Sequence, residues 1–247
     1  MADWNDRQPT GTGFGASPSL NGISFGGVSS DEGLRRHMLA IYNYMASGVL
    51  LSGIIAMLFA RSGMALQLMT SPLGFVIQLA PLGFILAMSF GLNRMQTSTL
   101  QILFWAFAAT MGLSLSMIFL VYTGGSIAVA FFSTAAAFAG LSLYGYSTGR
   151  DLSGLGTFFL MGLIGLIVAS LLNLWLKSPG LYWATSVIGV LIFAGLTAYD
   201  TQKLKEQYAY VAGTDFAGKA VVMGALNLYL DFINMFLYLL RFLGDRR

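Results

Sequence analysis

The chain has 247 residues, of which 56% are hydrophobic and only 9% charged, well below the roughly 25% charged content of soluble domains. Its 13 Lys and Arg against 10 Asp and Glu leave a formal charge of +3, too few and too scattered to track phosphates, so a nucleic-acid partner is excluded. Cysteine is absent and there is a single histidine, His37, which removes disulfides, thiolate metal sites and most zinc chemistry.

Residues 1–33 are polar and rich in Gly and Ser, with no helical period, and read as a disordered N-terminal tail. GTGFG at Gly11 lies in this tail without a flanking strand or helix, so it reads as linker and not as a nucleotide loop. After Arg35 and Arg36 the chain becomes apolar for about 24 residues, too long for a signal peptide and suited to a retained anchor. From there a seven-helix transmembrane domain is expected over residues 34–247. Stretches of about 20 apolar residues, the length that crosses roughly 30 Å of hydrocarbon, fall near 37–60, 73–93, 98–122, 126–147, 154–176, 182–204 and 219–242. Their links (TGGS, TGRDLSG, KSPG) leave no room for a soluble domain. No segment alternates as a barrel strand does, which makes the fold class all-α.

Basic residues set the orientation. With the N-terminus cytoplasmic, that side receives Arg7, Arg35, Arg36, Arg94, Arg150, Lys203, Lys205 and Lys219. The other receives Arg61, Lys177, Arg241, Arg246 and Arg247. Trp175, Tyr182 and Trp183 flank KSPG as an interfacial aromatic belt, and Ser133, Ala136, Ala137 and Gly140 offer small-residue contact at four-residue spacing.

Pro81 predicts a kink in the second span, and Arg94 ends that span. Two carboxylates fall inside spans: Asp200 in the sixth, near Thr197, and Asp231 in the seventh. An ionised carboxylate at mid-bilayer costs about 2.5–3.5 kcal/mol, so each must be solvated, paired or protonated. Asn227, Asp231, Asn234 and Tyr238 repeat at four, three and four, one stripe of an otherwise apolar helix, which turns that stripe inward. Counted from Gln207 and Lys219, Asp200 lies roughly 10 Å and Asp231 roughly 18 Å from the same membrane face, a gap that tilt would close. Two carboxylates in a poorly solvated site share a proton, and such a pair senses pH. Arg94 would neutralise either acid or snorkel to lipid phosphate.

No triad and no HExxH occur, and YDTQ lacks the context of an intramembrane aspartyl protease, so an enzyme is not expected. Carboxylates with Asn and backbone oxygens are hard ligands suited to calcium, held weakly as in a conduit. A structural bond between the sixth and seventh spans is the plainer alternative.

AYDTQKLKEQY (Ala198 to Tyr208) together with ALNLYLDFINMFLYLLRFLG (Ala225 to Gly244) resembles the C-terminal signature of the bacterial branch of the Bax inhibitor family, also called the transmembrane Bax inhibitor motif family. The resemblance spans most of residues 34–244 and implies a central seventh helix surrounded by the other six. It implies that Asp200 and Asp231 form a pH sensor governing a calcium leak, and that Arg94 is a latch holding the second span to the pair. Thr197, Asn227, Asn234 and Tyr238 are the supporting polar groups. The function expected is a pH-sensitive calcium leak channel of the bacterial inner membrane, with no tightly bound cofactor, and with calcium, protons and the lipid bilayer as partners. The alternatives are a regulatory membrane protein that binds a partner such as a membrane protease, and a proton-coupled transporter.

Overall fold

A computed structural model of the protein describes residues 26–247. Eight helices follow one another: α1 Gly26–Arg61, α2 Met64–Met69, α3 Pro72–Gly91, α4 Thr97–Val121, α5 Gly124–Ser147, α6 Ser153–Leu176, α7 Pro179–Val211 and α8 Ala217–Leu243. All but α2 are long and apolar enough to cross a membrane, so seven spans stand where seven were expected, α7 being the sixth and α8 the seventh. Two boundaries differ. Residues 26–33, expected in the polar tail, open α1, and the rest of the tail lies outside the described residues. α7 continues to Val211, past the apolar limit at 204, because its last turns pack on α1, with the Tyr208 ring 5.2 Å from the His37 ring.

Local chemistry explains several ends. Ser178 caps α7 by accepting the Leu181 N–H, and Pro179 takes the first turn, where its missing N–H costs nothing. Lys177 closes α6 in the left-handed region at φ 48°. Thr123 caps α5 by accepting the Ser126 N–H. Asp151 accepts the Ser153 N–H at 2.8 Å ahead of α6, and its bonds to Ser153 hold its carboxyl below the usual range.

The most buried span is α8. In its most apolar stretch 67% of residues are buried, against 6% in α6. Its neighbours are α1, α4, α5 and α7, while α3 packs on α4 and α6 on α7. Encirclement by six helices is therefore replaced by encirclement by four, with α3 and α6 as outer helices. An outer helix needs one contact face, and α6 is apolar around the rest of its circumference, where it meets lipid.

Small residues bring backbones together. A Cβ on Gly112 of α4 would lie 2.7 Å from the Ser52 carbonyl oxygen of α1, and one on Gly145 of α5 would overlap the Ala198 carbonyl oxygen of α7. Gly145→Ala should therefore push α5 from α7 and lower thermal stability in detergent by about 1–3 kcal/mol. An unchanged melting temperature would show that this close approach is not needed. The expected contact stripe of Ser133, Ala136, Ala137 and Gly140 is instead exposed. α5 packs through Ala130, Thr134, Phe138, Ser142 and Gly145, a face that combines small residues with one large anchor.

Pro81 does sit inside α3. Proline offers no N–H to the carbonyl four residues earlier, which is Ile77, and the Ser114 hydroxyl of α4 donates to that oxygen at 2.8 Å. Ser114→Ala should leave this carbonyl unpaired in an apolar setting and cost about 1 kcal/mol. The loss should vanish in a Pro81→Ala background, where the helix bond is restored, and a loss that persists there would reject the pairing.

Candidate functional site

Asp200 and Asp231 meet. They project from α7 and α8, adjacent helices, and their carboxyl groups lie within hydrogen-bonding reach of each other. The longer α7 makes this possible: from the ends facing the α7–α8 turn, Asp200 is about 16 Å along its helix and Asp231 about 21 Å, so the two are nearly level without pronounced tilt. Asp231 is 5% exposed and Asp200 half-buried. The Asp231 Oδ2 has no hydrogen-bond partner. Among the described residues no further carboxylate or histidine joins them to make a cluster of three. Two carboxyl groups this close in a water-poor setting are most stable with one proton between them.

The other supporting polar residues divide. Thr197 is fully buried, but its hydroxyl donates to Phe193 O of its own helix at 2.7 Å. Asn234 likewise donates to Leu230 O at 2.8 Å. Asn227 is half-buried. Tyr238 stacks on Phe193 at 5.8 Å, with the Arg241 guanidinium 5.2 Å from its ring, so it belongs to the opposite end of the bundle.

Arg94 lies in the turn after α3, exposed, and forms no ion pair; among the described residues the one salt bridge joins Arg36 and Glu32. The cation whose charge acts on Asp200 is Lys203, one turn further along α7. The α3 end is tied to α8 by Lys219, which donates to Leu92 O at 3.2 Å. A short-range motif cannot distinguish these three cations, because chain position shows depth and not direction.

Several supporting groups gave no signal in the sequence. Gln202 clamps the α5–α6 link, accepting the Leu152 N–H and donating to Arg150 O, both at 2.8 Å. Lys205 donates to Tyr146 O at 2.8 Å and lies 5.2 Å from the Tyr146 ring centre. With the Gly145 contact, these hold the Asp200 segment rigidly on α5. Thr201 sits at 3.5 Å from both the Tyr42 and Ser142 hydroxyls, the outer limit of hydrogen bonding. Tyr42 and Ser142 line a cavity of about 530 Å³ between α1 and α5, with Arg35 and Tyr146. On the other side of α8, the fully buried Tyr229 lies 2.6 Å from the Ser52 hydroxyl, which reaches Ala108 O at 2.6 Å. Donation from Tyr229 to Ser52 and on to Ala108 O satisfies all three groups.

The family model described as Inhibitor of apoptosis-promoting Bax1 matches residues 34–247. An uncharacterized protein of Rickettsia prowazekii is 54% identical over 219 residues, 88% of this chain and 92% of its own. Inner membrane protein YbhL of Escherichia coli K12 is 45% identical over 224 residues, 89% and 96% of the two chains. An uncharacterized membrane protein of Streptococcus pyogenes serotype M3 is 38% identical over 220 residues, 88% and 96%. Seven spans and this kinship make the chain an integral inner-membrane protein. With a family match over residues 34–247 and relatives of nearly equal length, the chain belongs to the Bax inhibitor family.

Proposed function

We propose that the protein is a pH-sensitive calcium leak channel in which Asp200 and Asp231 are both the proton sensor and the narrowest cation contact. The observation that carries this reading is a pair of carboxyl groups within hydrogen-bonding reach on the adjacent helices α7 and α8, one oxygen of which has no protein partner. A buried pair of acids is costly to keep for structure alone. A hydrophobic pair would join α7 and α8 at lower cost.

The mechanism follows from the charge state. With one shared proton the pair carries a single negative charge and its oxygens hold each other, which joins α7 to α8. Loss of that proton places two negative charges side by side, so the helices separate locally and the pair becomes attractive to a divalent cation. Calcium takes six to eight oxygens; two carboxylates supply at most four, so water completes the shell and binding stays weak enough for release. The cavity between α1 and α5 offers an approach, because two hydroxyls in its lining contact Thr201, next to Asp200. Asp200 is the fixed half of the pair, clamped through Gln202 and Lys205, and Asp231 the half that moves. Arg94 serves as a latch in this scheme by an inward swing of the α3–α4 turn that brings it to the pair in the closed state. Calcium entry into proteoliposomes across a pH series tests the proposal. Flux should rise as the pair deprotonates, and flux indifferent to pH would reject the sensor.

A further inference from the structure

At the end of the bundle opposite the α7–α8 turn, a cleft of about 630 Å³ opens between α6, α7 and α8. Its lining is more polar than that of the cavity between α1 and α5. Lys177 lies on its rim, exposed, in the rigid link after α6, where the Asn173 side chain accepts the Ser178 N–H at 2.9 Å. Arg241 lies within, half-buried, its guanidinium 5.0 Å from the Tyr182 ring centre and 5.2 Å from that of Tyr238. Beside the cleft, Arg246 donates to the Tyr182 hydroxyl at 2.7 Å. None of these cations has a carboxylate partner among the described residues, and no acid lines the cleft. Burial, with the Tyr182 hydroxyl beside it, pushes the neighbouring Tyr122 phenol above its ordinary value, so it stays neutral and offers no counter-charge. The Ser170 hydroxyl, also in the lining, is buried without a hydrogen-bond partner.

A half-buried guanidinium without a counter-ion is costly unless an anion completes the site. The anion must also suit the walls, which run from these polar groups to Ile167, Leu171 and Leu174, all more than half exposed, on a helix that faces hydrocarbon along most of its length. A phosphate head with attached acyl chains meets both demands, the phosphate accepting charge-assisted hydrogen bonds from the cations and the chains lying on the apolar wall. We infer that this cleft is a binding site for one anionic phospholipid, its phosphodiester between Lys177 and Arg241 with the Ser170 hydroxyl as a further donor, and an acyl chain along α6.

The test is mass spectrometry of the intact detergent-solubilised protein titrated with dioleoylphosphatidylglycerol or with dioleoylphosphatidylcholine. The expected result is a one-to-one phosphatidylglycerol adduct that outlasts the phosphatidylcholine adduct on activation. Lys177→Gln and Arg241→Gln should each weaken it by about fivefold, as expected from the loss of one basic group near an anionic lipid, and Lys177→Arg should restore it. Arg61→Gln, which removes a cation at the same end of the bundle from a separate cavity shared with Arg247, should leave this adduct unchanged. Equal retention of the two lipids would overturn the proposal, as would a loss in Arg61→Gln matching that in Lys177→Gln. Displacement of phosphatidylglycerol by inorganic phosphate alone would assign the cleft to a free anion and overturn the lipid. Lys177 is exposed and outside the packed core, so its variants keep the test valid even where Arg241→Gln loosens the Tyr182 cluster.

Discussion

Asp231→Asn should remove the pH dependence of calcium flux in proteoliposomes and lower the flux at high pH by about tenfold or more. The sign follows from proton linkage. In the proposed mechanism the protonated pair is the closed form, so leak should be least at low pH and grow as the proton is lost. A coupling of about 1.4 kcal/mol between protonation and opening already gives a tenfold change. Asparagine cannot take on the second charge, so in the proposed mechanism the repulsion never develops and the cation loses half of its carboxylate oxygens. Asp200→Asn should have the same direction with a smaller loss of flux, since Asp200 is half-buried and water can replace part of its contact. Arg94→Gln should raise the leak at low pH if the latch forms there, and leave the high-pH limit unchanged. Wild-type flux in Asp231→Asn would sink the conduit, whereas reduced flux with a normal pH profile would remove the sensor and leave the pathway. Proton counterflow during calcium uptake would favour the coupled transporter.

Tyr229→Ala should be the most destabilising single change in the bundle, at about 3–5 kcal/mol. The ring is fully buried against Phe107, 5.0 Å away between centres, and Phe104, 6.3 Å away. In a bilayer the water-driven part of side-chain burial is absent between helices, so the loss comes from contacts, and an aromatic ring removed from a packed site forfeits many at once. Its hydroxyl also reaches Ser52 and through it Ala108 O, so α1, α4 and α8 are joined at one point. Tyr229→Phe should keep the packing and cost only about 1 kcal/mol. Because Tyr229 faces α1 and α4 while Asp231 meets α7, the phenylalanine variant should retain both flux and its pH profile. Thermal unfolding in detergent gives the first pair of values and the flux assay the second. A Tyr229→Ala protein that melts with the wild type would show that this junction does not hold the bundle together.

The seven spans were legible because hydrocarbon tolerates no unpaired backbone and few charges, so each crossing must be a long apolar helix wherever it lies in the fold. The end of α7 was not, since its final turns are stabilised by the first turns of α1, more than 160 residues earlier, and carry polar residues that an apolar count treats as a stop. The inward stripe on α8 was legible at Asp231 because a carboxylate has so few acceptable surroundings. It did not show that Asn234, like Thr197 on α7, has its side chain satisfied by its own helix. Gln202, inside the quoted YDTQ motif, passed as an ordinary polar residue although it fixes the loop beside the site.

By itself the sequence determined that this is a seven-span helical membrane protein, that its charged interior positions are Asp200 and Asp231, and that they descend from the same side. These properties depend on composition along one helix at a time, which the bilayer makes strict. Only the tertiary structure decided that four helices and not six surround α8, and that Arg94 lies exposed while Lys203 acts on Asp200 and Lys219 ties α3 to α8. It also decided that Lys177 and Arg241 share a cleft without an acid. Those outcomes depend on rotation of each helix about its axis and on which glycines allow close approach, and both are settled by contacts between segments far apart in the chain.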